Sequence, residues 1–205
     1  AAPPEQFNFA QFLLERNAGH GERPAFIDDA GTLTYGDLAH RVRSLAAGLR
    51  GLGIRREERV LLLMQDCNDW PVSFLGAMYA GLVPVAVNTL LTPDDYAFML
   101  GNSRAQAVLV SGALLPTLQA ALDLGKTEVA HIVVSRPAAA LTPGQLNMAD
   151  FVAQNPPALP APTLADEPAF WLYSSGSTGQ PKGTVHSQGN LYWTAELYGK
   201  GVLAL

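Results

Sequence analysis

The stretch with the most potential chemistry is YSSGSTGQPKG, residues 173–183, which we call the glycine-rich loop. Its glycines would let the backbone curl with several N–H groups directed at one anion, an arrangement that suits phosphate. The glycines are Gly176, Gly179 and Gly183, and the hydroxyl donors are Ser174, Ser175, Ser177 and Thr178. One of the hydroxyls, for which we choose Thr178, could also touch a magnesium ion. Lys182 would add a mobile positive charge, so the loop predicts a site for a phosphorylated ligand.

The loop does not match the common P-loop, whose spacing is G-x-x-x-x-G-K-[ST]. Pro181 stands where the second glycine would be, and Lys182 is followed by Gly183 rather than by Ser or Thr. The flanking segments, AFWLY and GTVH, are both typical of strands, so we predict that the loop joins two strands. A flexible Ser/Gly linker is the alternative. A linker would seldom connect two strands and would not need the Pro-Lys-Gly ending.

The segments upstream predict an α/β fold. From residue 58 to 135, strand-like runs such as RVLLLMQ and QAVLVS alternate with helix-like runs, and the strands are apolar throughout. Such strands indicate a mostly parallel sheet with helices on both faces. Residues 136–168 are rich in proline and alanine, and we predict a connector there with one helical turn near 148–153. Residues 169–205 then form strand, loop, strand and a helix that runs to the last residue.

Composition and charge limit the classes of ligand and the compartment that the sequence favours. The 205 residues carry 13 basic and 18 acidic side chains, a net charge of −5, with no basic cluster that would favour nucleic acid or an anionic membrane. The uncharged stretch 70–93 is interrupted by prolines and glycines, which favours a short helix and strand over a membrane span. The single cysteine, Cys67, and the lack of a secretory start favour a reducing cytoplasmic compartment. Cys67 could be a nucleophile, but its position after a strand favours a structural thiol.

The loop resembles the signature of the acyl-adenylate-forming enzymes, which include acyl- and aryl-CoA ligases, adenylation domains of peptide synthetases, and luciferases. Each element of that signature, from the first Ser or Thr to the final Pro-Lys-Gly, is met by residues 174–183. Two weaker matches, LTYGDL at 33–38 and GAMYAGLVPVAVN at 76–88, stand in the same order upstream. The surroundings of the loop are most similar to benzoate-CoA ligases and their hydroxybenzoate relatives.

The resemblance implies that ATP activates a carboxylic acid to an acyl-adenylate and that coenzyme A then takes the acyl group. ATP, Mg²⁺, coenzyme A and a small carboxylic acid are thus the expected ligands, with Lys182 as the catalytic residue. It also implies that residues 1–205 are the incomplete N-terminal part of the large adenylation domain, without the small C-terminal domain. On this basis we expect the chain to be a piece of a longer one and to be inactive alone.

Three functions remain open at this point: an aryl-CoA ligase, a fatty acyl-CoA ligase or carrier-loading adenylation domain, and a non-catalytic nucleotide-binding module. His186 could contact phosphate or substrate, or it could be structural. The other histidines show no metal-ligand spacing, which argues against zinc. Four aromatic residues could line an acid pocket, although aromatic residues on a strand and a helix belong more often to the core. They are Trp171, Tyr173, Tyr192 and Trp193.

Overall fold

The computed structural model describes residues 2–174 and 179–204. The described strands are β1 Pro24–Asp28, β2 Gly31–Thr34, β3 Arg59–Leu63, β4 Val83–Ala86, β5 Ala107–Ser111, β6 His131–Ser135, β7 Gln145–Asn147, β8 Pro168–Ser174 and β9 Lys182–Ser187. The described α-helices are α1 Phe9–Arg16, α2 Tyr35–Gly51, α3 Asp69–Tyr79, α4 Pro93–Ser103, α5 Leu115–Leu124, α6 Met148–Gln154 and α7 Gln188–Trp193. Short 3₁₀ segments cover Ala18–His20 and Gly112–Leu114.

The central sheet has seven strands in the order β7-β6-β5-β3-β4-β8-β9, while β1 and β2 form a separate hairpin. Every pairing between β7 and β8 in that order is parallel. Only the last pairing of the sheet, between β8 and β9, is antiparallel. This arrangement confirms the prediction of a mostly parallel sheet.

Helices cover both faces of the sheet. Because successive side chains of a strand point to opposite faces, the central strand β3 contributes to a core on each side. Val60 and Leu62 of β3 pack into a core with residues of α2, α3 and α6, whereas Leu61 and Leu63 pack into a second core with residues of α4 and α5. All four side chains are fully buried, which explains why β3 is apolar from Val60 to Leu63 rather than alternating.

Side-chain caps mark the start of helices α2, α4 and α7. The hydroxyl of Thr34 accepts a hydrogen bond of 3.1 Å from the Asp37 amide at the start of α2. Thr92 forms a capping box with Asp95 at the start of α4, and Ser187 forms one with Asn190 at the start of α7.

The segment 136–168, predicted as a connector with one helical turn, contains more structure than that. Residues Gln145–Asn147 form the edge strand β7, which pairs with β6, and Met148–Gln154 form α6. Met148 is fully buried in the core shared with α2. The prediction of a connector with one helical turn was therefore wrong for 145–154. It missed β7 because three half-buried residues show no alternation that would mark a strand.

The final helix also differs from the prediction of one continuous helix to the end of the chain. α7 ends at Trp193, and Thr194–Lys200 are π-helical. The Thr194 hydroxyl donates a hydrogen bond of 2.9 Å to the Asn190 carbonyl oxygen, where an α-helix would place only the backbone amide. The hydroxyl and the backbone amide of Thr194 thus share one acceptor at the point where the α-helix changes to a π-helix.

The β1–β2 hairpin is fastened to the domain through Asp28. Its carboxylate accepts hydrogen bonds from the Asn68 amide (2.7 Å), the Ala30 amide (2.8 Å) and the Arg136 guanidinium (2.5 Å). The hydrogen bond from the Asn68 amide is the main cause that lowers the pKa of Asp28 to about 2. Asn68 directly precedes α3, so Asp28 ties the hairpin to the start of that helix.

This pKa predicts how stability depends on pH. Because the pKa of Asp28 is lower in the folded protein than its ordinary value of 3.8, the anion stabilises the fold above about pH 4. That contribution is lost as the pH falls towards 2. We expect Asp28→Asn to have a lower melting temperature than the wild type at pH 6, with the difference narrowing at pH 3. Thermal melting followed by circular dichroism checks this, and a difference that stays constant with pH would contradict it.

Candidate phosphate-binding site

The glycine-rich loop joins the two strands of the β8–β9 hairpin, as predicted. Ser174 at the end of β8 is paired with Lys182 at the start of β9, so the two ends of the loop are held together. Directly paired residues of an antiparallel sheet point to the same face, with Cβ atoms about 5 Å apart. The structure thus places two of the predicted site residues side by side. The other predicted site residues of this segment, Ser175, Gly176, Ser177 and Thr178, lie outside the described residues.

The two glycines of the loop that the structure describes differ in conformation. Gly179 has a φ of 92°, a left-handed conformation that favours glycine. Gly183, predicted to help the chain curl, lies instead in β9 opposite Tyr173. A Cβ on Gly183 would meet the ring of Trp171 at 3.4 Å, an ordinary contact distance. The structure therefore shows a special backbone conformation at Gly179 and a regular strand at Gly183.

Lys182 is available to a ligand. Its side chain is exposed, and within the described part of the chain it forms no ion pair. Ser174 beside it is also exposed. A cation and a hydroxyl thus lie together at the loop end of the hairpin, and both are groups that can bind an anion.

The loop follows the carboxyl end of β8, the edge of a parallel sheet where ligands usually bind. The chain passes from β3 to β4 and then returns to the other side of β3 to form β5, so the strand order reverses between β3 and β5. Past the carboxyl ends of β3 and its other neighbour, β4, lies a cleft of about 350 Å³, lined by Met64, Gln65, Asp66, Trp70, Ala86, Val87, Asn88 and Thr89. β8 lies beside β4 in the sheet and runs parallel to it, so the loop and the cleft both lie at the carboxyl ends of the strands.

Sequence reasoning did not single out the polar residues of this cleft. Gln65 and Asp66 follow β3, and Asn88 and Thr89 follow β4. Polar side chains directly after apolar parallel strands are a signal that could have found them. None of the four aromatic candidates lines the cleft, whereas Trp70 does.

His186 is held by stacking. Its ring lies parallel to that of Phe170, with centroids 4.5 Å apart and an interplanar angle of 4°. Phe170 in turn packs edge-on against Phe74 of α3 at 5.3 Å, and Phe74 stacks on Trp70 at 5.2 Å. These four rings connect β9, β8 and α3, which favours the structural interpretation of His186.

The aromatic candidates serve mainly as packing groups. Tyr192 lies 5.8 Å from Phe7 and 5.6 Å from Phe12, measured between ring centroids, so it fastens α7 to α1. Trp171 lies under the Arg59 guanidinium, 5.6 Å from its ring centroid. Trp193 is 41% exposed. Contacts with named core or surface partners thus account for Tyr192 and Trp171.

Among residues 2–174 and 179–204, no group of three or more His, Cys, Asp and Glu side chains is arranged to hold a metal ion. In the same residues, no helix is both long and apolar enough to span a membrane. Cys67 is a partly buried free thiol.

A model of the family described as AMP-binding enzyme matches residues 13–202, nearly the whole chain. The chain belongs to this family. A benzoate-CoA ligase of Thauera aromatica is 45% identical over 98% of the chain, and a 4-hydroxybenzoate-CoA/benzoate-CoA ligase of Rhodopseudomonas palustris is 37% identical over 98%. The chain spans 38% and 37% of the lengths of these two relatives.

Solved structures share the fold. A benzoate CoA ligase from Burkholderia xenovorans LB400 superposes with a TM-score of 0.86 and 47% identity, covering 97% of this chain and 38% of that one. An anthranilate CoA ligase in complex with anthranoyl-AMP superposes with a TM-score of 0.93 and 30% identity, covering 99% of this chain and 39% of that one. The chain therefore has the fold of the corresponding part of these enzymes.

The stacking of His186 predicts the effect of its replacement. We expect His186→Ala to lower the free energy of unfolding by about 0.5–1.5 kcal/mol, the contribution of a well-placed aromatic pair. His186→Phe retains a ring over Phe170 and should stay within about 0.5 kcal/mol of the wild type. Urea denaturation followed by tryptophan fluorescence measures both. Equal destabilisation by the two substitutions would show that stacking is not what holds His186.

Proposed function

We propose that the protein to which these residues belong activates an aromatic carboxylic acid, benzoate or a close relative, to its coenzyme A thioester at the expense of ATP. The observation that carries the proposal is the glycine-rich loop, closed by the Ser174–Lys182 pair beside a cleft at the carboxyl edge of the sheet. Membership of the AMP-binding enzyme family supports ATP as the donor of the adenylyl group. The similarity to two ligases named for benzoate supports an aromatic acid.

The proposed reaction has two steps. A carboxylate oxygen of the acid attacks the α-phosphorus of ATP, the bond from that phosphorus to the bridging oxygen breaks, and pyrophosphate leaves. The thiolate sulfur of coenzyme A then attacks the acyl carbon, the bond to the AMP oxygen breaks, and the proton of the thiol passes to solvent. AMP is a better leaving group than the oxide of a free carboxylate, which is why activation precedes transfer.

The chain's own contribution is to hold the phosphates that leave. Negative charge on the β- and γ-phosphates would be met by the Lys182 ammonium and by the hydroxyl of Ser174, which the hairpin places next to each other. Gly179 would present backbone rather than a side chain to the same anion, as would Gly176. Ser175, Ser177 and Thr178 would add hydroxyl donors. Since the hairpin places Ser174 and Lys182 side by side before ATP binds, little of the binding energy is spent on arranging these two residues.

Magnesium would accompany ATP rather than occupy a protein cage. The described residues contain no cluster of carboxylates that could hold the ion alone, and Mg²⁺ commonly binds through substrate phosphates with one or two protein oxygens. The donor set of the loop fits such an ion, and we propose that Thr178 supplies the oxygen. The ion would neutralise phosphate charge when bound. A cytoplasmic setting suits this enzyme, because its substrates ATP and coenzyme A are kept there.

The decisive experiment is ATP–pyrophosphate exchange on the longest natural chain that contains these residues. The acids tested are benzoate, 4-hydroxybenzoate, acetate, a long-chain fatty acid and a mixture of amino acids. Exchange that requires an aromatic acid, followed by thioester formation when coenzyme A is added, is the expected result. Exchange with the fatty acid or an amino acid instead would identify another adenylate-forming activity. Folded protein that shows no exchange with any acid would leave only the nucleotide-binding module.

Lys182→Ala provides a test of the loop itself. We expect kcat/KM for ATP to fall about 10- to 100-fold, the equivalent of the roughly 1.5–3 kcal/mol that a hydrogen bond to a charged group contributes. Thr178→Ala should reduce it less, because the backbone donors remain. The matched control is Lys126→Ala, since Lys126 is an exposed lysine outside the loop. Exchange kinetics in Lys182→Ala that equal those of the control would contradict the role of Lys182.

A further inference from the structure

Tyr173 lies just past the last residue of β8 that is paired with β4. The pairing of β8 with β4 consists of Val85 with Trp171 and Ala86 with Leu172, so it stops one residue before Tyr173. Beyond that point, the backbone of β8 is paired only with β9, the last strand of the sheet. The last two residues of β8, Tyr173 and Ser174, therefore need another support if they are to keep their place.

The side chain of Tyr173 supplies a support of this kind. Its hydroxyl donates a hydrogen bond of 2.7 Å to Oδ1 of Asn102 in the last turn of α4. The same hydroxyl lies 3.4 Å from the carbonyl oxygen of Met99, and its ring packs against the core that α4 and α5 share. Burial raises the pKa of Tyr173 to about 12, so the phenol remains a hydrogen-bond donor at neutral pH.

The helix that receives this hydrogen bond is itself well fixed. α4 begins with the Thr92–Asp95 capping box, and the residue that directly follows it, Arg104, forms an ion pair of 2.7 Å with Glu128. Arg59 of β3 donates from Nε to the carbonyl oxygen of Ser103 at 2.5 Å, and its guanidinium lies over the Trp171 ring. The last turn of α4 is thus attached both to β3 and to β8.

Tyr173 acts on the side of the hairpin that faces away from the proposed ligand. Ser174 and Lys182 are paired and share one face, whereas Tyr173, one residue earlier, points to the other. Its hydroxyl therefore does not reach the phosphates from this position. An effect on them has to pass through the backbone that carries Ser174 and, by way of the Tyr173–Gly183 pair, Lys182.

We infer that Tyr173, through its hydrogen bond to Asn102, is a positioning residue that sets Ser174 and Lys182 in place for the phosphates of ATP. This inference rests on the proposed function. It assigns a role to α4, which touches neither Ser174 nor Lys182 in any hydrogen bond that the described residues form. Loss of the bond leaves the ligand groups present but less well placed.

The test uses Tyr173→Phe, Asn102→Leu, Asn102→Asp and the double variant Tyr173→Phe/Asn102→Leu in the longest natural chain. We expect Tyr173→Phe and Asn102→Leu each to raise KM for ATP in pyrophosphate exchange about 3- to 10-fold, in keeping with the loss of one hydrogen bond. KM for the acid should stay within about twofold. Asn102→Asp keeps an acceptor oxygen and should behave as the wild type. Because one bond is removed in each case, the double variant should be no worse than either single variant.

Thr163→Val is the matched control for a general loss of stability. It removes a buried hydrogen bond of 2.8 Å from the Thr163 hydroxyl to the Phe7 carbonyl oxygen. This bond lies just before α1 and involves no residue of α4 or of the β8–β9 hairpin. It should lower the melting temperature without changing KM for ATP. If it raises KM for ATP as much as Tyr173→Phe does, the effect is one of stability and the inference is wrong.

The outcomes separate this inference from the proposed function. A folded wild type that shows no exchange with any acid overturns the proposed function and the inference with it. Wild-type exchange with an unchanged KM for ATP in both Tyr173→Phe and Asn102→Leu overturns the inference alone. If Tyr173→Phe does not fold, the comparison of Asn102→Leu with Asn102→Asp still decides, because Asn102 is an exposed residue and its replacement should be tolerated.

Discussion

The contact on which the candidate site depends is the short parallel pairing of β8 with β4. Two register positions, Val85 with Trp171 and Ala86 with Leu172, join the hairpin to the rest of the sheet. Everything that the loop can do requires that this pairing hold the hairpin at the carboxyl edge. Side chains reinforce it from both faces: Phe170 is buried against α3, and Trp171 lies beneath Arg59.

Side chains alternate along the hairpin, so the residues that support it lie on one face and the proposed phosphate-binding residues lie on the other. Trp171, Tyr173 and Gly183 face α4, whereas Ser174 and Lys182 face the other way. Side chains in a strand alternate strictly, so a slip of one residue in the pairing would exchange the two sets. The aromatic residues on the α4 face therefore do more than fill space, because their burial specifies the register that leaves Lys182 exposed.

The parts of this structure that sequence can predict are those encoded by neighbouring residues. The caps Thr34, Thr92 and Ser187 act on amides three residues away, and the apolar strands carry their own signal of burial. The β7 strand has no such signal, because Gln145–Asn147 are three half-buried residues at an edge. The order of strands in the sheet and the cleft between β3 and β4 depend on contacts between distant segments. Tyr173 and Asn102 are 71 positions apart, so no local pattern could have paired them.

The Ser174–Lys182 pair has a consequence for the entropy of ligand binding. It leaves residues 175–181 as a segment whose two ends the strands have already joined. If the two ends were free, the binding of an anion by both of them would also cost the entropy of closing that loop. Here folding bears that loss when the hairpin forms, before any ligand arrives. A phosphate group that binds Ser174 and Lys182 does not have to bring these two residues together, so a larger share of each hydrogen bond remains as affinity.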